Sequence, residues 1–110
     1  MLAFVGCDLG TMGTKAGVVS LDGRILGQSF EEVPVYTPRP GEVEQSLDEI
    51  EGSAHRTIRA ALAAADSDVK IGGVAFSGQM SGVGSIDSRF APATHFDSWL
   101  DSRCAPYIQY

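Results

Sequence analysis

The alternation of apolar and polar positions in the first third of the chain predicts three consecutive strands. Residues 3–9 form a mostly apolar run that ends at a glycine-rich turn, as a buried strand does. A second run covers residues 14–21, and Asp22-Gly23 after it is a strong two-residue hairpin signal. The third run extends over residues 24–36. We therefore predict an antiparallel three-stranded meander over residues 3–36.

The pattern then changes to that of one amphipathic helix. Residues 37–45 contain two prolines and a glycine and predict an irregular loop. Ser46 and Glu49 have the spacing of a capping box, in which the serine hydroxyl accepts from the Glu49 amide and the Glu49 carboxylate reaches back. The apolar stripe that follows predicts a helix over residues 47–65 and consists of Leu47, Ile50, Ala54, Ile58, Ala61, Leu62 and Ala65.

The second half of the chain predicts one further buried strand and less regular structure. Residues 69–77 follow a crossover helix, so this strand should run parallel to an earlier one. A short strand is expected over residues 83–87, and Asp101 is expected to cap a last helix that contains Pro106. The order of three strands, a helix and a strand indicates an α/β layer with a mixed sheet.

Charge and composition exclude several classes of partner. The net charge is −6, and seven of the fourteen acidic residues lie with one arginine between residues 31 and 51, so the acidity is local. No basic cluster is present that could neutralise a nucleic acid or an anionic membrane, and neither partner is expected. The longest apolar run has six residues, far short of the roughly 20 that span a bilayer.

The cysteines and histidines add little chemistry. Cys7 and Cys104 are a lone pair far apart in sequence, which favours reduced thiols and a cytoplasmic location. His55 and His95 have no partners at metal-ligand spacing, so a zinc site is not expected.

The segment from Asp8 to Lys15 is the most informative for chemistry. A carboxylate at a strand end, followed by a glycine-rich hairpin, brings backbone N–H groups and a threonine hydroxyl around an anion, while the carboxylate can hold a divalent cation. This is the chemistry of a phosphate and Mg²⁺ site, without the helix of a P-loop and without a G-x-G-x-x-G fingerprint. A glycine-rich hairpin with a turn aspartate is the equal alternative. Lys15 either adds positive charge near a phosphate or is a solvated edge residue.

Two later segments offer binding groups. Gln79 and Ser81 carry amide and hydroxyl groups at the mouth of a strand, where α/β sheets usually bind ligands, although a flexible polar turn would read the same way. Trp99 and Asp101 could present an apolar ring and a carboxylate to a sugar, or could be a core tryptophan and half of an ion pair with Arg103.

Taken together, four short motifs resemble the N-terminal portion of the FGGY carbohydrate kinases, nearest the xylulokinase branch. They occur in the family's order and rough spacing and extend over almost the whole chain. The motifs are Asp8-Leu9-Gly10-Thr11 with Lys15, Pro40-Gly41-Glu42-Val43-Glu44-Gln45, Gly78-Gln79-Met80, and Trp99-Leu100-Asp101-Ser102-Arg103.

The resemblance implies a ribonuclease H-like, actin-type ATPase fold of two domains that transfers the γ-phosphoryl group of MgATP to a hydroxyl of a sugar or polyol. It implies that Asp8 helps to hold Mg²⁺ and that Gly10 and Thr11 face the transferred phosphate. The remaining residues implied at the cofactor are Gly13, Thr14 and Lys15. Those implied at the sugar are Gln79, Met80 and Ser81, with Trp99 packing on the sugar and Asp101 close by.

Two departures from the family pattern refine this expectation. Glycerol kinases carry Arg-Glu after the glutamine and xylulokinases typically Met-His, whereas this chain has Met80-Ser81, which argues against glycerol and leaves the ketose open. The family's catalytic aspartate and most of its adenosine site fall beyond Tyr110, so residues 1–110 are expected to form an incomplete N-terminal domain that lacks a C-terminal domain and is inactive alone. A non-catalytic remnant or a small-ligand binding module is the alternative, and a homo-oligomer stays open.

Overall fold

A computed structural model describes residues 1–108 of the chain and has one mixed sheet covered on one face by one helix. The elements are β1 (Leu2–Leu9), β2 (Gly13–Ser20), β3 (Ile25–Glu32), β4 (Glu44–Gln45), α1 (Leu47–Ala64), β5 (Lys70–Gly78), β6 (Phe96–Asp97) and a 3₁₀ turn (Ala105–Tyr107). The four strands of the mixed sheet lie in the order β3-β2-β1-β5, and neighbouring strands are antiparallel except for β5, which is parallel to β1. This arrangement confirms the predicted mixed sheet.

The core lies between the sheet and α1. Side chains that alternate along β1 and β2 point to the helix, because successive residues of a strand face opposite sides. The buried residues of this cluster are Ala3, Val5, Ala16, Val18 and Ala61, with Leu26, Ile58, Ala65, Val69 and Ile71 packed against them. Burying each valine, leucine or isoleucine side chain contributes roughly 1.5–3 kcal/mol. The core therefore fixes which residues of β1 and β2 face away from the helix.

Gly27 brings the backbone of α1 into direct contact with β3. A Cβ atom at this position would lie 2.2 Å from the Ala61 carbonyl oxygen and 2.9 Å from the Ala65 amide nitrogen. Only glycine permits this approach. The helix ends at Ala64, one residue earlier than predicted, because Ala65 adopts extended backbone angles and its N–H bonds to the Leu62 carbonyl.

The third strand is shorter than predicted, because it ends at Glu32 and not at residue 36. Pro34 has no N–H for a ladder, and the Val33 N–H instead donates to the Met12 carbonyl at 3.2 Å. Tyr36 pairs with Glu44 through two backbone hydrogen bonds of 2.8 Å. The predicted meander therefore covers residues 2–32.

The capping box at the start of α1 forms only in part. The Ser46 hydroxyl accepts from the Glu49 amide at 3.3 Å, as predicted. The Glu49 carboxylate instead accepts from the Tyr36 hydroxyl at 2.8 Å, and this contact raises the pKa of Tyr36. The side chain that was expected to cap its own helix therefore ties the helix to the preceding loop.

The last third of the described chain departs most from the prediction. The strand expected over residues 83–87 is replaced by two isolated bridges, Val83 with Asp97 and Ile86 with Pro92. The helix expected after Asp101 is only the 3₁₀ turn at Ala105–Tyr107. Within residues 1–108, no helix is both long and apolar enough to cross a membrane.

Candidate functional site

The two candidate binding segments lie side by side at one edge of the sheet. Because β1 and β5 are parallel neighbours, Leu9 is aligned with Gly78 and both strands end at the same edge. The Gln79 N–H donates to the Leu9 carbonyl at 3.0 Å. The turn at residues 10–12 and the loop at residues 79–81 therefore adjoin at the carboxyl ends of parallel strands, where α/β sheets bind ligands.

The turn at residues 10–12 leaves backbone N–H groups free. The Gly10 N–H donates to the Gly13 carbonyl at 3.0 Å and closes the turn. A Cβ atom on Gly13 would lie 2.5 Å from the Glu31 carbonyl oxygen, so the tight return into β2 requires glycine. Within residues 1–108, the N–H groups of Thr11 and Met12 donate to no acceptor. Adjacent free N–H groups of this kind can bind an anion such as a phosphate.

Asp8 and Lys15 flank this turn on the sheet face that points away from α1. They are directly opposite each other across β1 and β2, and both are exposed. In the described part of the chain, the two side chains form no ion pair, and no group of three His, Cys, Asp or Glu side chains could hold a metal alone. Mg²⁺ commonly binds through one or two carboxylates together with phosphate oxygens and water. Asp8 beside the free N–H groups fits a magnesium-phosphate ligand.

Thr14 does not join this site. Its side chain is 1 % exposed and its hydroxyl oxygen lies 2.6 Å from that of Ser53, between the sheet and α1. Thr14 is implied at the cofactor by the resemblance, but its side chain is on the helix-facing side of β2, whereas that of Lys15 is on the opposite side. The sequence pattern of β2 indicates this position, because every second residue of a strand faces the same side and Thr14 is two residues before the buried Ala16 and four before Val18.

A groove of about 470 Å³ lies beside the turn. Met80 is 79 % exposed and Trp99 is 54 % exposed, so both add apolar surface to the groove. Ser81 has a φ of 62°, a left-handed conformation that is uncommon for a residue other than glycine and that often occurs at binding loops. The groove is lined by Thr11, Gln79, Met80, Ser81 and Trp99.

A network of hydrogen bonds joins the turn to the groove. The Trp99 indole N–H donates to the Thr11 hydroxyl at 2.9 Å, and that hydroxyl donates to the Gln79 Oε1 at 3.3 Å. The Gln79 amide nitrogen donates to Gln45 Oε1 at 2.8 Å, and the Gln45 amide nitrogen donates to the Thr11 carbonyl at 2.9 Å. Sequence reasoning assigned Gln45 no role, and its only signal was its place at the end of the motif Pro40-Gly41-Glu42-Val43-Glu44-Gln45.

Asp101 does not face the groove as expected. Its side chain is 5 % exposed, and its carboxylate accepts from the Val43 N–H at 2.7 Å and pairs with Arg103 at 2.7 Å. The Arg103 guanidinium holds the pKa of Asp101 well below its usual range. Asp101 therefore ties the Trp99 segment to the loop before β4, and its carboxylate does not line the groove.

Arg103 extends this tie to further carboxylates. Its guanidinium lies 2.7 Å from Glu44, which is adjacent to Gln45. The hydrogen bonds to Asp101 and then to Glu44 raise the pKa of Arg103 above the ordinary arginine value. The cluster keeps the segment that carries Trp99 against the segment that carries Gln45. The other carboxylates within 4 Å of Arg103 are Asp97 at 3.5 Å and Glu42 at 3.7 Å.

The sequence of this chain is similar to those of several known kinases. The chain is 32 % identical over 106 residues to a xylulose kinase from Klebsiella pneumoniae and 32 % identical over 100 residues to a gluconokinase from Bacillus subtilis. These alignments cover 96 % and 90 % of this chain but 22 % and 19 % of the relatives, so the chain spans about a fifth of their length.

A solved structure and a family model agree with these relatives. A xyloylose kinase from Brucella ovis superposes with a TM-score of 0.83 at 31 % identity, over 92 % of this chain and 22 % of that one. The likeness confirms the predicted actin-type ATPase fold class. The model for the N-terminal domain of the FGGY family of carbohydrate kinases matches residues 3–110. With the turn and the groove at the carboxyl ends of β1 and β5, this match shows that the chain belongs to the FGGY family of carbohydrate kinases.

Proposed function

We propose that this chain forms part of an ATP-dependent kinase that phosphorylates a hydroxyl of a sugar or polyol. The turn at residues 10–12, called the phosphate turn below, would bind the phosphate, and the groove beside it would form one wall of the sugar site. The single observation that carries the proposal is the position of Thr11. Its backbone N–H is free in the turn, and its side chain lines the groove. One residue thus adjoins both candidate ligands, and phosphoryl transfer depends chiefly on holding the phosphate and the acceptor hydroxyl close together.

The cofactor in this proposal is MgATP. Asp8 would hold Mg²⁺, which when bound neutralises charge on the phosphate oxygens. The N–H groups of Thr11 and Met12 would orient the terminal phosphate, while Lys15 adds positive charge nearby. The close packing at Gly13 keeps the turn in this conformation.

The acceptor in this proposal is a ketose or related polyol. The exposed Trp99 ring and the Met80 thioether suit the apolar face of a sugar, whereas Gln79 and Ser81 supply hydrogen-bonding groups. A small triol such as glycerol would cover less of this apolar surface. The curated relatives of this chain include kinases of xylulose, gluconate and glycerol, so the preference for a ketose rests on the residues that line the groove.

The general base for the acceptor hydroxyl would come from outside the described residues. All five residues that line the groove lack a carboxylate or imidazole that could accept the proton. The chain also spans about a fifth of the length of its curated relatives.

Two further expectations remain predictions from the sequence: the absence of a nucleic-acid partner and a cytoplasmic location.

An activity assay tests this proposal. The protein expressed from the whole reading frame that contains this chain is assayed for ATP consumption with xylulose, gluconate and glycerol, beside the 110-residue chain. We expect turnover by the whole protein, fastest with the ketose, and none by the 110-residue chain. Binding of a sugar by the whole protein without ATP-dependent phosphorylation would contradict the proposal and favour a binding module.

A variant pair locates the sugar. Trp99→Leu should raise the KM for the sugar at least about tenfold because the ring and its N–H are both lost. Tyr107→Leu, which changes an aromatic residue that is 83 % exposed and outside the groove, is the matched control and should leave that KM unchanged. Equal KM values in the two variants would place the sugar elsewhere.

A further inference from the structure

In the hydrogen bonds that link Thr11, Gln45 and Gln79, only one assignment of donors and acceptors is possible. The Thr11 carbonyl can only accept, so Gln45 must present its amide nitrogen there, at 2.9 Å. The Gln45 oxygen then faces Gln79, which must present its own nitrogen, at 2.8 Å. The Gln79 oxygen is consequently turned to the Thr11 hydroxyl at 3.3 Å. The orientation of both amides thus follows from one backbone carbonyl in the turn.

Gln45 is the member of this network that cannot touch a ligand. Its side chain is 0 % exposed, whereas Gln79 is half-buried and lines the groove. A carboxamide has two N–H donors and two acceptor lone pairs. Gln79 uses one donor on Gln45 and one lone pair on Thr11, and its second donor and second lone pair remain for the groove.

We propose that Gln45 is a positioning residue that sets the orientation of the Gln79 amide and couples it to the phosphate turn. If the Gln79 amide were reversed, its nitrogen would face the Thr11 hydroxyl and its oxygen would face the Gln45 oxygen. Gln45 therefore determines which group of Gln79 a sugar meets, although it contacts only other protein atoms. The identity of this ligand as a sugar rests on the proposed function, whereas the orientation of the amide does not.

The first test observes the side-chain amide protons of the ¹⁵N-labelled chain by nuclear magnetic resonance. In the wild type, we expect those of Gln79 to exchange with solvent at least about tenfold more slowly than those of Gln28, an exposed glutamine on β3. Gln45→Met should remove this protection of Gln79 while the backbone amide spectrum of β1 and β2 is kept. Gln28→Met is the matched control and should leave the Gln79 signals unchanged.

Two results would overturn the proposal. One is a Gln79 amide that exchanges as fast as that of Gln28 in the wild type, a measurement that does not require any variant to fold. The other is a folded Gln45→Met chain in which the Gln79 amide signals and their exchange rates are unchanged.

Kinetics of the protein from the whole reading frame separate this proposal from the proposed function. Gln45→Met should raise the KM for the sugar at least about fivefold and change kcat less than about twofold, because it disturbs a contact made in the ground state and the transition state alike. An unchanged KM for the sugar would contradict the positioning role. A wild-type protein without kinase activity but with a protected Gln79 amide would refute the proposed function and leave the orientation by Gln45 supported.

Discussion

The hydroxyl oxygens of Thr14 and Ser53 lie 2.6 Å apart in the buried layer between β2 and α1. The Ser53 hydroxyl also donates to the Ile50 carbonyl, so Thr14 is the donor of the pair. This contact makes Thr14 a residue of the sheet–helix interface, although it directly follows the glycine turn.

Thr14→Val should therefore affect stability and not catalysis. The substitution keeps the shape of the side chain but removes the donor to Ser53, which should lower the free energy of unfolding by about 1 kcal/mol. Urea denaturation of the chain measures this change, and Thr37→Val in the exposed loop is the control. The contrary result would be a Thr14→Val chain with unchanged stability, together with loss of kinase activity when the same substitution is made in the protein from the whole reading frame. That result would put the Thr14 hydroxyl at the phosphate.

Asp8→Asn should abolish activity in the protein from the whole reading frame and leave its fold intact. The amide keeps the shape of an exposed side chain but loses the charge that would hold the cation. Thermal unfolding should match that of the wild type, and Asp66→Asn, at an exposed aspartate outside the turn, should keep full activity. Retention of more than about a tenth of kcat, a barrier change below about 1.4 kcal/mol, would show that Asp8 is only a turn residue.

Ser81→His should shift substrate preference towards xylulose. The φ of 62° at Ser81 is a conformation in which histidine is enriched among non-glycine residues, so the loop should keep its shape. We expect the unsubstituted protein to prefer ketopentoses to glycerol by at least about tenfold in kcat/KM. Ser81→Gly, which removes the hydroxyl and relieves the backbone, is the control for the loss of serine. An unchanged ranking of substrates in Ser81→His would place residues 79–81 outside the sugar site.

The Asp101–Arg103 pair should make stability depend on acid pH. The pKa of Asp101 is lowered in the folded chain, chiefly by Arg103, so its contribution is present above the unfolded value of about 3.9 and is lost as the pH falls below it. The free energy of unfolding, measured from pH 6 downwards, should therefore decrease below about pH 4. Asp101→Asn should flatten this decrease relative to the control Asp66→Asn. Equal slopes in the two variants would contradict the role of the pair.

The sequence predicted best what depends on neighbouring residues. Asp22-Gly23 indicated the hairpin between β2 and β3, and the apolar stripe after Ser46 indicated α1 to within one residue. Parallel pairing of β5 with β1 followed from the crossover helix, so the meeting of the two candidate segments could be expected. These features arise from local turn chemistry and from side-chain periodicity.

Contacts between distant residues could not be predicted in the same way. The Asp101 carboxylate accepts from the backbone N–H of Val43, and the Glu49 carboxylate accepts from the Tyr36 hydroxyl. The local sequence around Asp101 and Glu49 predicts only capping contacts and the neighbouring Arg103, and it gives no sign of these two partners. Gln45 appeared as a polar residue before a helix, with no pattern that indicates burial. Each outcome depends on which loops the fold brings together, and the periodicity of a single segment does not contain that information.

The close approach at Gly27 has a consequence for residues far from it. The 18 residues of α1 span about 27 Å, and the helix begins two residues after Gln45 while its last turns rest on Gly27. A side chain at Gly27 would lift that end, and a stiff helix would transmit the tilt along its length to the amide of Gln45. We therefore expect Gly27→Ala to disturb the geometry of the groove, although Gly27 lies a full helix length away from it.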